Sequence, residues 1–210
     1  MKSEKNILLI DKPEGITSFD VIRILRKKLG TWKMGHAGTL DPFATGLLIV
    51  GVGEGTKKMQ EFLGLSKVYE AKVVLGVRTA TGDKDGEIVE RKIVAGITKE
   101  KIEDVLKQMT GDIVLPVPAY SAIKRQGKPL YEYAREGKQI DIPDKTMHVD
   151  SADLLLFLND EVSIRWNVGS GAYIRSLAED LGKRLGTVAH VKELRRISIG
   201  SYSINDAEKV

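Results

Sequence analysis

Twelve consecutive residues carry the densest chemical signal in the chain: Gly35-His36-Ala37-Gly38-Thr39-Leu40-Asp41-Pro42-Phe43-Ala44-Thr45-Gly46. A carboxylate and an imidazole stand five positions apart in this loop. Its glycines permit backbone conformations and close approaches that other side chains forbid, and Pro42 stiffens the chain just after Asp41. Two uses of such an aspartate are open, as a turn cap or as a working carboxylate that needs a partner. A glycosidase-type carboxylate pair would want a second acid within reach as proton donor, and no motif supplies one. Elsewhere, Arg175 stands at the start of a helix, where the dipole favours anions; a guanidinium gains nothing there and needs a carboxylate from another part of the chain. Metal chemistry is not indicated. His36, His148 and His190 are not spaced as a ligand set, and Asp83 and Asp85 lack the twelve-residue calcium pattern with its terminal Glu. No metal and no cofactor is expected.

The chain that must position these residues reads as alternating strands and helices. Ile7-Leu8-Leu9-Ile10 and Leu47-Leu48-Ile49-Val50 read as buried strands. Between them Thr17 is an N-cap with Asp20 three residues on, Ile16 and Val21 can form a hydrophobic staple, and Gly30 stops the helix. Phe19, Ile22, Leu25 and Leu29 give its apolar stripe, with the basic residues largely off it. Thr56 to Leu63 reads as a short helix. Ser66 to Val77 reads as a strand with Tyr69, Ala71, Val73, Leu75 and Val77 on one face, so Tyr69 points with the apolar set.

A turn over 81–86 leads to a second strand, Glu87 to Arg91, and Thr98 to Met109 is an amphipathic helix with Ile102, Val105, Leu106 and Met109 as its core face. Gly111 to Lys128, with Pro116 and Pro118, reads as irregular. Within it, Tyr120 beside Lys124 and Arg125 suits single-stranded nucleic acid, or else the segment is a plain connecting loop. Leu130 to Glu136 is a short helix, and 154–158 with 162–168 form a hairpin. Gly169 to Arg175 opens a helix whose stripe is Ile174, Leu177, Ala178, Leu181 and Leu185, leaving Tyr173 and Arg175 off that stripe. With no repeat, linker or low-complexity segment, one α+β domain over 1–210 is expected.

Composition narrows the class. The 210 residues are 42% hydrophobic and 30% charged, ordinary for a globular protein, and no apolar run approaches the roughly 20 residues of a membrane span. The apolar run near the N-terminus is too short for a signal-peptide core, so a cytoplasmic protein is expected. The absence of cysteine excludes disulfides and thiolate nucleophiles. The net charge of +4, from 33 basic and 29 acidic residues, is too small to demand an anionic partner. The charge is clustered, however: Arg23, Arg26, Lys27, Lys28 and Lys33 lie in one acid-free stretch, Lys124, Arg125 and Lys128 in another, and Lys192, Arg195 and Arg196 in a third basic cluster. Such clusters suit phosphate contacts or a solvated face.

The loop GHAGTLDPFATGLL at 35–48 closely resembles the catalytic motif of the TruB family of tRNA pseudouridine-55 synthases. DKPEGITSFDVIR at 11–23, KVYEAKVVLG at 67–76, PAYSAIKRQGKPLYEYAR at 118–135, GAYIRSLAEDLG at 171–182 and VAHVKELRRISIGSY at 188–202 agree in order and spacing, so the resemblance covers nearly the whole chain. It implies the pseudouridine synthase fold, a central mixed or antiparallel sheet flanked by helices and loops, with an RNA-gripping insertion at about 118–145. By position, Asp41 matches the family's nucleophilic aspartate, His36 the histidine that helps displace the target uridine, and Tyr69 the tyrosine that packs on the base. Arg175 matches the arginine paired with the aspartate, and Tyr173 and Leu194 match further pocket residues. Ala37 and Ala172 stand where many members have threonine, and both are small. Many bacterial members continue into a C-terminal RNA-binding PUA domain, for which this chain leaves no room.

The implied reaction breaks the bond from uracil N1 to ribose C1′, turns the base and joins C5 to C1′. The carboxylate adds to C6, or acts at C1′, or assists a glycal route. Asp41 must then be ionised while shielded from water. Burial opposes this and a permanently charged guanidinium such as Arg175 favours it. Extruding a stacked base needs an aromatic face, for which Tyr69 serves, and a group to fill the vacated space, for which His36 serves. The implied partner is the T arm of tRNA, bound by a monomer, with Lys124 and Arg125 on phosphates. A tRNA-binding chaperone without modification activity is the alternative.

Overall fold

The computed structural model describes residues 6–138 and 140–210. Its main element is a large mixed sheet of ten strands. The chain divides into two compact units, one made of Met1–Glu70, Trp166–Ser170 and Glu193–Val210, the other of Ala71–Arg165 and Gly171–Lys192.

In the first unit the strand Thr45–Val52 is central. One edge pairs antiparallel with Ile7–Lys12, Leu9 facing Ile49. The other edge is shared. Met34–Ala37 pairs antiparallel with its upper half, Ala37 facing Ile49, and Arg195 and Arg196 of the strand Ala189–Ile199 pair in parallel with Thr45 and Gly46. The Asp41 loop spans the point where one partner leaves this edge and the other takes it up. Alternation along Thr45–Val52 sends Leu47 and Ile49 to a cluster with Met59 and Phe62, and Leu48 and Val50 to a cluster with Val21, Ile22 and Leu25.

The helix Ser18–Leu29 supplies that second cluster. Its N-terminus is the expected capping box between Thr17 and Asp20, Ile16 and Val21 pack in the same cluster, and Gly30 closes it in the left-handed region. The stripe differs from expectation. Val21, Ile22 and Leu25 are buried, whereas Phe19 and Leu29 are about half exposed, and Arg23 and Arg26 lie over the Phe19 ring. Cation–π contact with two guanidiniums, rather than core burial, occupies that ring. The short helix near residue 60 is a 3-10 turn, Gly53–Lys58, running into Met59–Gly64.

The second unit contains the helix Lys99–Gln108, N-capped by Thr98 with Ile102, Val105 and Leu106 buried as expected. Gly111–Pro116, expected to be irregular, is instead a strand antiparallel to Asp144–Leu158, Ile113 facing Met147. Its period-two burial of Ile113 and Leu115 is short and ends in proline, which hides it from a pattern search. Asn159 and Asp160, both at positive φ, make the two-residue turn into Glu161–Val168, where Val162, Ile164, Trp166 and Val168 are fully buried. Lys124–Arg125 and Lys128–Pro129 form a small hairpin before the helix Leu130–Arg135.

The shared edge of Thr45–Val52 sets a steric requirement. A Cβ on Gly46 would lie 2.3 Å from the backbone oxygen and 2.6 Å from the backbone nitrogen of Arg196, and Gly46 has φ +108. Backbone cannot yield as a side chain does, so Gly46→Ala should lower unfolding free energy by about 3 kcal/mol or more. Gly15→Ala, at φ +86 with open space around it, should cost about 1 kcal/mol. Urea titrations of the two variants check the contrast, and equal losses would show that the close approach carries no weight.

Candidate active site

Asp41 is half-buried, and the backbone on each side of it is tied down within the first unit. On the N-terminal side, the Ser18 hydroxyl accepts from the Leu40 amide at 2.9 Å and donates to the Leu40 carbonyl at 3.2 Å. On the C-terminal side, the Pro42 carbonyl accepts from the Gly15 amide at 2.8 Å and from Lys12 Nζ at 3.3 Å. The Asp41 carbonyl itself accepts from the Ala44 amide. A side chain anchored at both neighbours has few backbone conformations left, which is the positioning a reacting carboxylate needs.

Lys12, the last residue of the strand Ile7–Lys12, places a cation beside this loop. It is fully buried, and its ammonium also donates to the carbonyls of Pro13 at 2.8 Å and Ile16 at 2.7 Å. Burial lowers its pKa to about 8, partly opposed by the attraction of the Asp41 carboxylate. A signal for it existed: Lys12 is two residues beyond buried Ile10 on the same strand, so alternation puts it inside.

Arg196 is the second cation missed. Its place in a basic cluster predicts phosphate contacts or a solvated face, yet it is 1% exposed. Its Nε donates to the Leu47 carbonyl at 2.7 Å, one Nη to the Gly38 carbonyl at 2.9 Å and the other to the Tyr69 hydroxyl at 3.4 Å. Tyr69 is buried, as its phase with Ala71 and Val73 requires, and the guanidinium carbon lies 6.0 Å from its ring centre. Next to it in sequence, Arg195 grips Asp11 with two bonds of 2.8 and 3.1 Å. Leu194, also buried, offers its carbonyl to the Thr45 hydroxyl at 3.5 Å.

His36 lies in the strand Met34–Ala37 rather than in an irregular loop, facing Val50. Its Nδ1 is buried without a hydrogen-bond partner among the described residues. Burial first, and the Arg196 charge second, hold its pKa below the ordinary histidine value, so the ring is neutral at pH 7. The first unit thus carries His36, Asp41, Tyr69 and Leu194.

The second unit carries Tyr173, Arg175, Lys124 and Arg125. Arg175 is 4% exposed, inside the first turn of the helix Ile174–Arg184 rather than off its buried face. It donates to the carbonyls of Thr81 at 2.8 Å and Tyr120 at 3.0 Å and lies 3.5 Å from the Asp83 carboxylate. Asp83 is buried and itself accepts from the Thr81 hydroxyl and the Asp85 amide, so the 81–86 turn presents a carboxylate to Arg175. Tyr173 is the N-cap residue, its ring covered by the Lys145 ammonium at 5.5 Å. Lys124 and Arg125 are exposed on their hairpin, and Arg125 reaches Asp141 at 3.1 Å. A cavity of about 510 Å³ in this unit is lined by Ala119, Leu130, Ala134, Lys138, Asp141 and Ile142 among others, and none of the candidate residues lines it.

Lysine buried at a lowered pKa makes stability pH-dependent. Lys12 and Lys67 both titrate at about 8 in the fold against 10.5 for the free side chain. Between these values the unfolded chain binds more protons, so stability should rise from pH 8 toward pH 10. Lys12→Met should flatten part of that rise and cost about 2 kcal/mol at pH 7, because it strips a donor from three carbonyls. Urea unfolding at pH 7, 8, 9 and 10 measures both effects.

Residues 26–174 match the model of the TruB family pseudouridylate synthase N-terminal domain, and residues 175–210 match that of the tRNA pseudouridylate synthase B C-terminal domain. The tRNA pseudouridine synthase B of Aromatoleum aromaticum is 44% identical over 96% of this chain and 65% of its own length. That of Corynebacterium diphtheriae is 39% identical over 98% and 71%. The chain therefore spans about two thirds of the length of these relatives. Among solved structures, a chain of a Cbf5-Nop10-Gar1 complex is 29% identical with a TM-score of 0.74, over 97% of this chain and 52% of its own. A chain of an H/ACA RNP bound to a substrate RNA containing 2′-deoxyuridine is 27% identical with a TM-score of 0.73, over 97% and 50%. With the expected α+β sheet architecture present and family models covering residues 26–210, the chain belongs to the TruB family of pseudouridylate synthases.

Proposed function

We propose that this protein converts uridine to pseudouridine at position 55 of tRNA, in the T loop. The observation that carries the reading is the double anchoring of the Asp41 backbone beside the buried cation Lys12. The base is flipped from its stack, the N1–C1′ bond breaks, the base turns and C5 bonds to C1′. The proton leaving C5 passes to solvent and N1 regains one, so the reaction is an isomerisation without oxidant or hydrolysis. Asp41 acts on the nucleotide at C6, at C1′ or by the glycal route, with Arg175 as its charge partner. Tyr69 packs on the base and moves a proton, and Tyr173 and Leu194 complete the pocket. His36, neutral and with its Nδ1 unpaired in the strand, takes the place of the displaced base. Lys124 and Arg125, exposed on the hairpin, contact phosphates of the T arm. The protein acts as a cytoplasmic monomer, without metal or cofactor.

T-arm RNA tritiated at uracil C5 should release its label with the wild type. Asp41→Asn should abolish release while leaving RNA affinity within about threefold, because one neutral amide replaces one of many contacts. Turnover by the Asn variant would remove Asp41 from the chemistry, and wild-type binding without release would favour the chaperone alternative. Replacing Lys124 and Arg125 with Ala should weaken binding and lower the slope of log affinity against log salt by about 1–2. An unchanged slope would take the hairpin out of the interface.

A further inference from the structure

Arg196 is a full positive charge, 1% exposed, and no carboxylate among the described residues forms an ion pair with it. Removing a cation from water costs several kcal/mol unless its donors are met. Here the donors meet two carbonyls, of Leu47 and Gly38, and one phenol, of Tyr69. Those acceptors sit on either side of Asp41 in sequence and on the strand that carries the aromatic face. The packing is made for this side chain. A Cβ on Gly38 would approach one Nη to 3.3 Å, and Gly46 lets the Arg196 backbone pair directly with the strand leaving the loop. Replacing a buried charge by a hydrophobe of similar volume is often neutral or stabilising, so what distinguishes Arg196 is the set of three bonds it makes.

We propose that Arg196 is a positioning residue that locks the Tyr69 hydroxyl to the Asp41 loop and dictates which way that hydroxyl donates. Guanidinium has donors and no acceptor. The Tyr69 oxygen can therefore only accept from Arg196, and its own proton stays available to the bound nucleotide. The same fork holds Gly38 and Leu47, so ring and loop keep one spacing when the base enters. This inference rests on the proposed role of Tyr69 at the base, and it assigns to Arg196 the orientation of that group.

A double-mutant cycle tests it, with label release measured for Arg196→Lys, Tyr69→Phe and both together. Lysine keeps the charge but cannot span three acceptors in a planar fork. Arg196→Lys should lower kcat about tenfold or more with KM within about threefold. In the Tyr69→Phe background the same change should cost less than about threefold, because the group being oriented is already gone. Equal losses in the two backgrounds would overturn the proposal. A second readout needs neither activity nor an arginine variant. In nitrogen-15 arginine spectra the Arg196 Nε–H, protected by the Leu47 carbonyl, should shift on Tyr69→Phe in the folded protein. An unmoved signal would overturn the proposal even if Arg196→Lys fails to fold. A wild type that releases no label while this signal does move would defeat the activity reading and leave the Arg196–Tyr69 coupling standing.

Discussion

Buried cations bound to backbone oxygen hold the Asp41 loop in place. An irregular loop inside a fold has carbonyls with no ladder partner, and each one left unpaired costs roughly 1–3 kcal/mol. Lys12 answers three of them, at Pro13, Ile16 and Pro42, and Arg196 answers two more, at Gly38 and Leu47. Lys67 does the same for the end of the short helix Met59–Gly64, where Leu63 and Leu65 present their carbonyls to its ammonium. A lysine at a helix C-terminus also meets the favourable end of the dipole. In each case a long side chain delivers several donors to a place no strand could reach.

The cations can reach these oxygens because the loop gives up side chains. Gly38 at φ +83 lets the Arg196 guanidinium lie against the backbone, and Gly46 removes the one Cβ that would separate Thr45–Val52 from Ala189–Ile199. Hence the glycine spacing of the loop and the arginine some 150 residues later are one structural device. The loop sits where the sheet edge changes partner, which is where an aspartate can project without interrupting a ladder.

The regular elements were legible because their signals are local. The capping box at Thr17, the alternation of Tyr69 with Ala71 and Val73, and the turn at Asn159 and Asp160 each declare themselves within a few residues. Asp41 and His36 stood out for the same reason. Gly111–Pro116 was hidden because its alternation covers too few residues before a proline. Lys12, Asp83 and Arg196 were misread or passed over because charge is ordinarily a sign of exposure, and only distant acceptors reverse that sign. For Lys12 and Arg196 the strand period offered a correction, since each lies two residues from a buried apolar neighbour, Ile10 and Leu194. Phe19 is the converse case: its helical phase suggested core, and two arginines on the same face took the ring instead.

The electrostatic consequence follows from where these charges were put. Arg196 adds to the burial that pushes Lys12, Lys67 and His36 toward their neutral forms, and the Asp41 carboxylate alone leads the groups that push Lys12 back toward its charged form. Attraction between two groups is mutual, so Lys12 supports an ionised Asp41 as much as Asp41 supports a charged Lys12. The imidazole close by receives the opposite instruction, because a fixed guanidinium penalises a second positive charge near it. One buried set of charges therefore acts differently on Asp41 and His36. Lys12 and Asp41 attract one another there, while burial and the Arg196 guanidinium together disfavour a positive charge on His36.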